Sequence, residues 1–277
     1  MVALLATALR TGLAWALAAL VSCTLAPTPR AGVWVNSLGM ELVEVPVAGG
    51  RPLRMACVET QERHLAPFRR SLGQSAPASA RPAARVSWME ARAFCDWLTQ
   101  RERQAGVIGP GQRYRLPTDH EWSCAVGLGD LEKAGDLPEA KSGRIAGCFP
   151  WGETWPPPAG AGNLCGRESR RDFPESFISD YRDGMPCGRL AARASAPNAL
   201  GLFDLSGSLW EWCEDRYREG TDWRVLRGGS WKSSRPQTLL SSHRTHDPEG
   251  YRSDSVGFRC VLVEEFPWDA ERETLNF

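Results

Sequence analysis

The sequence predicts a single globular domain of mixed helix and strand in which irregular loops outweigh both. Three observations carry this expectation. With 277 residues, 42% of them hydrophobic, the chain can fill one large core. Its 27 glycines and 20 prolines make it too loop-rich for a helical bundle. Short strand-like runs occupy the first and last parts of the folded region, while two capping boxes start helices between them. Thirty-three basic residues balance thirty-three acidic ones, so no long-range field draws the protein to nucleic acid or to an anionic surface, and no nucleic-acid partner is expected.

Residues 1–22 carry one charge, Arg10, followed by an apolar stretch over 11–21 that is too short to span a bilayer comfortably and reads as an export signal. Leu20-Val21-Ser22-Cys23 resembles a lipobox, which makes Cys23 the acylated N-terminus of a periplasmic, outer-membrane lipoprotein; an ordinary secretory signal cut after Ala26 is the alternative. Residues 23–33, rich in Pro, Thr, Ala and Arg, form a tether. Beyond Cys23 lie Cys57, Cys95, Cys124, Cys148, Cys165, Cys187, Cys213 and Cys260. An even number in an exported chain suggests disulfides, and the absence of CxxC pairs or cysteine–histidine clusters at zinc spacing argues against structural zinc.

The domain is expected to run over residues 34–265, with a tail over 266–277. From Trp34 to Gly50, apolar and polar residues alternate around Met40, Leu42, Val43, Val45 and Val47, as in a half-buried strand closed by a Gly-Gly turn. RMACVETQERHLAPFRR passes from strand into helix and ends near a surface loop over 71–84. Ser87-Trp88-Met89-Glu90 caps a second helix, in which Ala91, Phe94, Cys95 and Leu98 form one apolar stripe, so Cys95 faces the core. Thr118-Asp119-His120-Glu121 starts another, with Trp122, Ala125 and Val126 inward. Between Gly127 and Asn198 no periodicity is sustained, and ordered loops are expected there. The last third returns to short strands, VLRGGSW and VGFRCVLV among them. The twelve tryptophans, notably Trp88, Trp122, Trp210, Trp212 and Trp231, are expected to build the core, with one or two flooring a pocket.

In order along the chain stand NSLGMELVEVP, VETQ, RVSWMEARAFCDWL, YRLPTDHEWSCA, FPWGE, GN, NALGLFDLSGSLWEWC, RVLRGGSW and GFRCV. Together they closely resemble the formylglycine-generating enzyme (sulfatase-modifying factor) domain family over residues 34–263. The resemblance implies an α+β domain of low regular secondary structure, related to C-type lectin-like folds and stabilised by calcium and disulfides. It implies a Cys95–Cys260 disulfide. A Cys165–Cys187 pair is added because these cysteines flank stretches expected to meet at a metal; Cys57, Cys124, Cys148 and Cys213 remain unassigned.

The resemblance also implies two calcium sites, of a kind that loop oxygens supply well. The first uses the side chains of Asp204 and Glu211 with the carbonyls of Gly207 and Leu209. The second uses the side chains of Asn163 and Asp183 with the carbonyls of Leu164 and Met185. The bland alternative for Asp204 and Glu211 is a pair of turn and strand-end carboxylates. The family's defining enzyme oxidises a substrate cysteine with two thiolates that hold copper(I), a soft ion. Those positions are Ser233 and Thr238 here, and no cysteine lies between Cys213 and Cys260. Copper is therefore not expected, and formylglycine generation by that chemistry is predicted to be absent.

Other chemistry is weakly signalled. His243, His246 and Asp247 have a spacing that could ligate iron or copper, although solvated polar residues explain it better. The nearby serines lack a nucleophile elbow. Glu59 and Arg244 match family positions and either line a groove with Ser233, Thr238 and His243 or sit in buried ion pairs. Two functions remain: a non-catalytic binding or regulatory module that holds a peptide or protein partner in the periplasm, as family members do in type VI secretion kinase regulation, or an oxidase of cysteine-independent chemistry similar to the member that matures pyoverdine. Ergothioneine-type synthases are disfavoured, because their separate iron-binding domain has no room here.

Overall fold

The computed structural model describes residues 32–264. The expected signal segment over 1–22, Cys23 and the expected 266–277 tail therefore lie outside the described residues. The first described strand is β1 (Val33–Val35), followed by β2 (Glu41–Val45) and β3 (Leu53–Ala56). Then come α1 (Glu62–Ser71), α2 (Trp88–Gln104), β4 (Gln112–Arg115), α3 (Asp119–Ala125) and a short α4 (Pro138–Lys141). The last third holds β5 (Trp210–Arg216), β6 (Trp223–Arg227), a short α5 (Pro236–Leu239), β7 (Thr245–Pro248), β8 (Val256–Gly257) and β9 (Val261–Glu264).

Two small sheets organise these elements. The first has the order β1-β2-β3-β9-β4 with antiparallel pairs throughout, so the last described strand closes between β3 and β4. The second has the order β7-β6-β5-β8, with β5 and β8 parallel. β4 carries no strand signal of its own: Gln112-Arg113-Tyr114-Arg115 is too polar, and pairing with β9 defines it. Between residues 127 and 198 only brief helical turns interrupt the loops, as expected from the missing periodicity.

Both main helices follow their apolar stripes. Ala91, Phe94, Cys95 and Leu98 of α2 are buried in a core shared with Trp88, Trp212, Phe258 and Cys260. Phe94 meets Phe258 edge-on with ring centres 5.6 Å apart. A second core gathers Val45, Met55, Trp122, Leu205, Cys213 and Val261 under the first sheet.

The caps divide differently. Thr118 Oγ1 accepts from Glu121 N and Glu121 Oε2 accepts from Thr118 N at 2.7 Å, completing the capping box of α3. At α2 only half forms. Ser87 Oγ accepts from Glu90 N at 3.2 Å, while the Glu90 carboxylate turns outward to Arg69 and Arg252. Two guanidinium groups out-compete one backbone amide for that carboxylate.

Candidate functional site

The loop over residues 203–209 is built on unusual backbone. Asp204, Gly207 and Ser208 have φ of 55°, 79° and 51°, the left-handed region. Glycine is required at 207 for a second reason: a Cβ there would fall 2.1 Å from the carbonyl oxygen of Asn163. A Cβ on Gly162 would meet the Ser206 carbonyl oxygen just as closely, at 2.1 Å. The two loops thus cross backbone on backbone, joined by Ser208 N donating to Asn163 O at 2.9 Å. The two predicted cation sites meet at this crossing.

Beneath the loop lies an acidic interior with one guanidinium. Arg259 donates to both Glu211 oxygens, Nη2 to Oε1 at 2.6 Å and Nε to Oε2 at 2.7 Å, and reaches the carbonyls of Ala56, Phe203 and Asp204. Trp122 Nε1 adds a bond to Glu211 Oε2 at 3.0 Å. Asp204 accepts from Arg193 N and Ser195 N, at 2.6 and 2.8 Å. Glu59 Oε1 accepts from Leu209 N, while Glu59 Oε2, Ser206 Oγ and Ser208 Oγ have no hydrogen-bond partner. Burial, reinforced by Asp204 and Glu211, holds the Glu59 carboxyl well above its usual range, and burial raises Asp204 as well.

These residues fit a hard divalent cation in chemistry and charge, since three buried carboxylates face one guanidinium and buried oxygens remain unpartnered. Glu211 already uses both oxygens on Arg259 and Trp122. Among the described residues no three His, Cys, Asp or Glu side chains converge as a metal cluster, so a cation here would rest on Asp204, Glu211 and the carbonyls of Gly207 and Leu209. At the second set, Asp183 accepts from Leu164 N at 3.1 Å and from Met185 N at 2.8 Å, and Asn163 Nδ2 donates to Arg189 O. Four residues from two separate loops are thereby gathered, and burial raises the Asp183 carboxyl.

The stretch after Arg227 contains hydroxyls tied to main chain. Ser233 Oγ accepts from Ser230 N at 3.0 Å, and Thr238 Oγ1 donates to Arg235 O at 2.9 Å. Cys165 N donates to Ser233 O at 3.1 Å, which fastens this segment to the cation-site loop. Alongside opens a cavity of about 590 Å³ lined by Phe173, Cys187, Trp231, Glu168 and Asp172. Trp231 and Phe173 form its aromatic wall, with ring centres 6.1 Å apart.

Of the two readings left open for Glu59 and Arg244, the structure shows the buried one. Glu59 is fully enclosed beneath the 203–209 loop. Arg244 is also interior: it donates to Asp119, Glu132, Ser123 Oγ and the Ser242 carbonyl. Asp119 further binds Arg227 and Lys141, and these cations overcome burial to hold its carboxyl far below the usual range. A buried ionic network, with its charges paired, is the reason Arg244 cannot line a groove.

His243, His246 and Asp247 form no metal cluster among the described residues. His246 lies between Trp223 and Tyr217, with ring centres 4.2 and 4.3 Å away. His243 packs on Trp210, and burial together with Arg227 and Arg244 depresses its imidazole to about 4. The two histidines serve separate aromatic contacts, so they do not form one ligand set.

The expected disulfides are not formed. All eight described cysteines are free, Cys95, Cys260, Cys165 and Cys187 included. Cys260 nevertheless contributes to raising the Cys95 thiol, after burial, and Cys187 acts likewise on Cys165. The two cysteines of each expected pair are thus near enough to influence one another.

A model of the sulfatase-modifying factor enzyme 1-like domain matches residues 22–263. The "Inactive C-alpha-formylglycine-generating enzyme 2" of Bos taurus is 31% identical over 187 residues, covering 65% of this chain and 50% of that protein. The "Formylglycine-generating enzyme" of Thermomonospora curvata is 28% identical over 203 residues, covering 65% of this chain and 55% of that one. The chain thus spans about half the length of the curated relatives it matches. PvdO from Pseudomonas aeruginosa has the same fold, with a TM-score of 0.52 and 17% identity over 86% of this chain and 100% of that one.

Proposed function

The chain belongs to the sulfatase-modifying factor enzyme 1-like domain family, and we propose that within it this protein is a non-catalytic binding or regulatory module. One observation carries the reading. Ser233 and Thr238, at the positions where the family resemblance calls for thiolates, spend their hydroxyls on backbone groups. An alcohol has neither the acidity nor the softness to hold copper(I). What remains beside them is a cavity with an aromatic wall, suited to holding a peptide or protein partner.

The proposal extends to export, with Cys23 as a lipid anchor in the periplasm and kinase-pathway regulation in type VI secretion as a setting. It also includes structural calcium at Asp204, Gly207, Leu209 and Glu211, and at Asn163, Leu164, Asp183 and Met185. The buried, under-compensated carboxylates support the calcium. The alternative, a cysteine-independent oxidase, would need an imidazole or metal at the groove, and the packing of His243 and His246 against aromatic rings disfavours it.

The test is oxygen uptake and product formation with a cysteine-containing peptide and copper(I), alongside metal analysis of the purified protein. We expect no turnover and calcium alone. Turnover, or stoichiometric copper or iron lost on His243→Ala, would establish the oxidase instead.

A further inference from the structure

A second surface, separate from the cavity walled by Trp231 and Phe173, has the form of a docking site. A groove of about 520 Å³ runs between α1 and α2, lined by Phe68, Arg69, Leu72, Met89, Glu90 and Arg252 among others. Leu72 and Met89 are 57% and 54% exposed, large apolar side chains that face solvent across one groove. The turn at 249–252 borders it: Met89 N donates to Glu249 O at 3.4 Å, and Tyr251, in that turn, is itself exposed.

The charge of this surface is one-sided. Between residues 62 and 92 stand six arginines against two glutamates, in a chain that is neutral overall. Glu62 is committed to Ser79 and Arg81, and Glu249 to Arg224. That leaves Glu90 as the carboxylate between Arg69 and Arg252. Two guanidinium groups on one carboxylate leave a full positive charge beside exposed leucine and methionine. The same arrangement diverts Glu90 from the capping box its sequence position calls for.

We propose that this groove docks an acidic peptide segment of a partner protein, which seats an apolar side chain between Leu72 and Met89 and brings a carboxylate to Arg69 and Arg252. Arginine at a partly desolvated site beside apolar anchors is a combination that concentrates binding energy. Concavity favours a peptide over a lipid surface: the apolar floor at Phe68 is reached by a side chain entering the groove, which a flat bilayer cannot do.

The experiment is fluorescence anisotropy with a short labelled peptide in which leucine and phenylalanine alternate with aspartate and glutamate, beside the same peptide carrying lysine at the acidic positions. The acidic peptide is expected to bind, and to bind more weakly as salt is raised. Leu72→Asp and Met89→Asp, both at exposed positions, should each weaken it by about tenfold, with circular dichroism unchanged. Glu90→Gln should tighten it, by freeing both arginines. The proposal fails if neither peptide binds, if the lysine peptide binds equally, or if the aspartate variants leave binding unchanged. It also fails if phosphatidylglycerol vesicles are bound with the same Leu72 and Met89 dependence while the acidic peptide is not.

Discussion

Replacing Arg259 by methionine isolates the electrostatics of the 203–209 loop. The guanidinium is fully enclosed, as is its partner, with side-chain exposures of 0% and 1%. Removing it strands the Glu211 carboxylate and takes away the nearest cation from Glu59 and Asp204. Breaking one side of a buried pair costs about 3–5 kcal/mol. Loss of the bonds to the carbonyls of Ala56, Phe203 and Asp204 pushes the cost to the upper end of that range. With a urea slope of about 3 kcal/mol per molar, the unfolding midpoint should fall by about 1–2 M, read from tryptophan fluorescence. Arg259→Met with Glu211→Gln should recover part of the loss, because the buried charge is gone together with its partner. Calcium should restabilise the single variant more than the native chain. A midpoint shift below about 0.3 M, or a double variant no better than the single one, would refute the reasoning.

Two further outcomes follow from the same geometry. His243 has its imidazole lowered from 6.5 to about 4, so the folded protein binds fewer protons than the unfolded chain across that interval. Its contribution is therefore complete above pH 6.5 and is lost as pH falls from there to about 4; in His243→Gln, equilibrium unfolding across the interval should show a flatter pH dependence. Gly207→Ala forces a Cβ to 2.1 Å from the Asn163 carbonyl oxygen at a φ of 79°. Left-handed strain and the broken loop crossing should together cost about 3 kcal/mol or more, measured as a lower urea midpoint or as loss of soluble protein. A midpoint equal to that of the native chain would mean that the crossing is not required.

Much of the fold was legible locally. The stripe of Ala91, Phe94, Cys95 and Leu98 and the Thr118–Glu121 box depend on residues one turn apart, so their spacing alone announces them. The ordered motifs identified the family, and Ser233 and Thr238 are visible as hydroxyls where the resemblance calls for thiolates. Other features were not visible in that way. β4 exists because β9 returns beside it from the far end of the chain. The sequence placed Glu59 and Arg244 at family positions without distinguishing groove from interior. His243 and His246 looked like ligands because a loop brings them close in sequence, yet their rings pack against different aromatic partners.

By itself the sequence determined which segments turn into helix and which residue types stand at the positions where the family resemblance calls for thiolates. Those properties belong to single residues or to neighbours within a turn. Only the tertiary structure decided which charge meets which. Glu59, Glu211 and Arg259 come together from three distant parts of the chain, Asp119, Glu132 and Arg244 from three others, and Glu90 leaves its own helix amide for Arg69 and Arg252. A carboxylate carries the same charge in any of these settings. Its partner and its burial are set by where the chain crosses itself, and local spacing does not encode that.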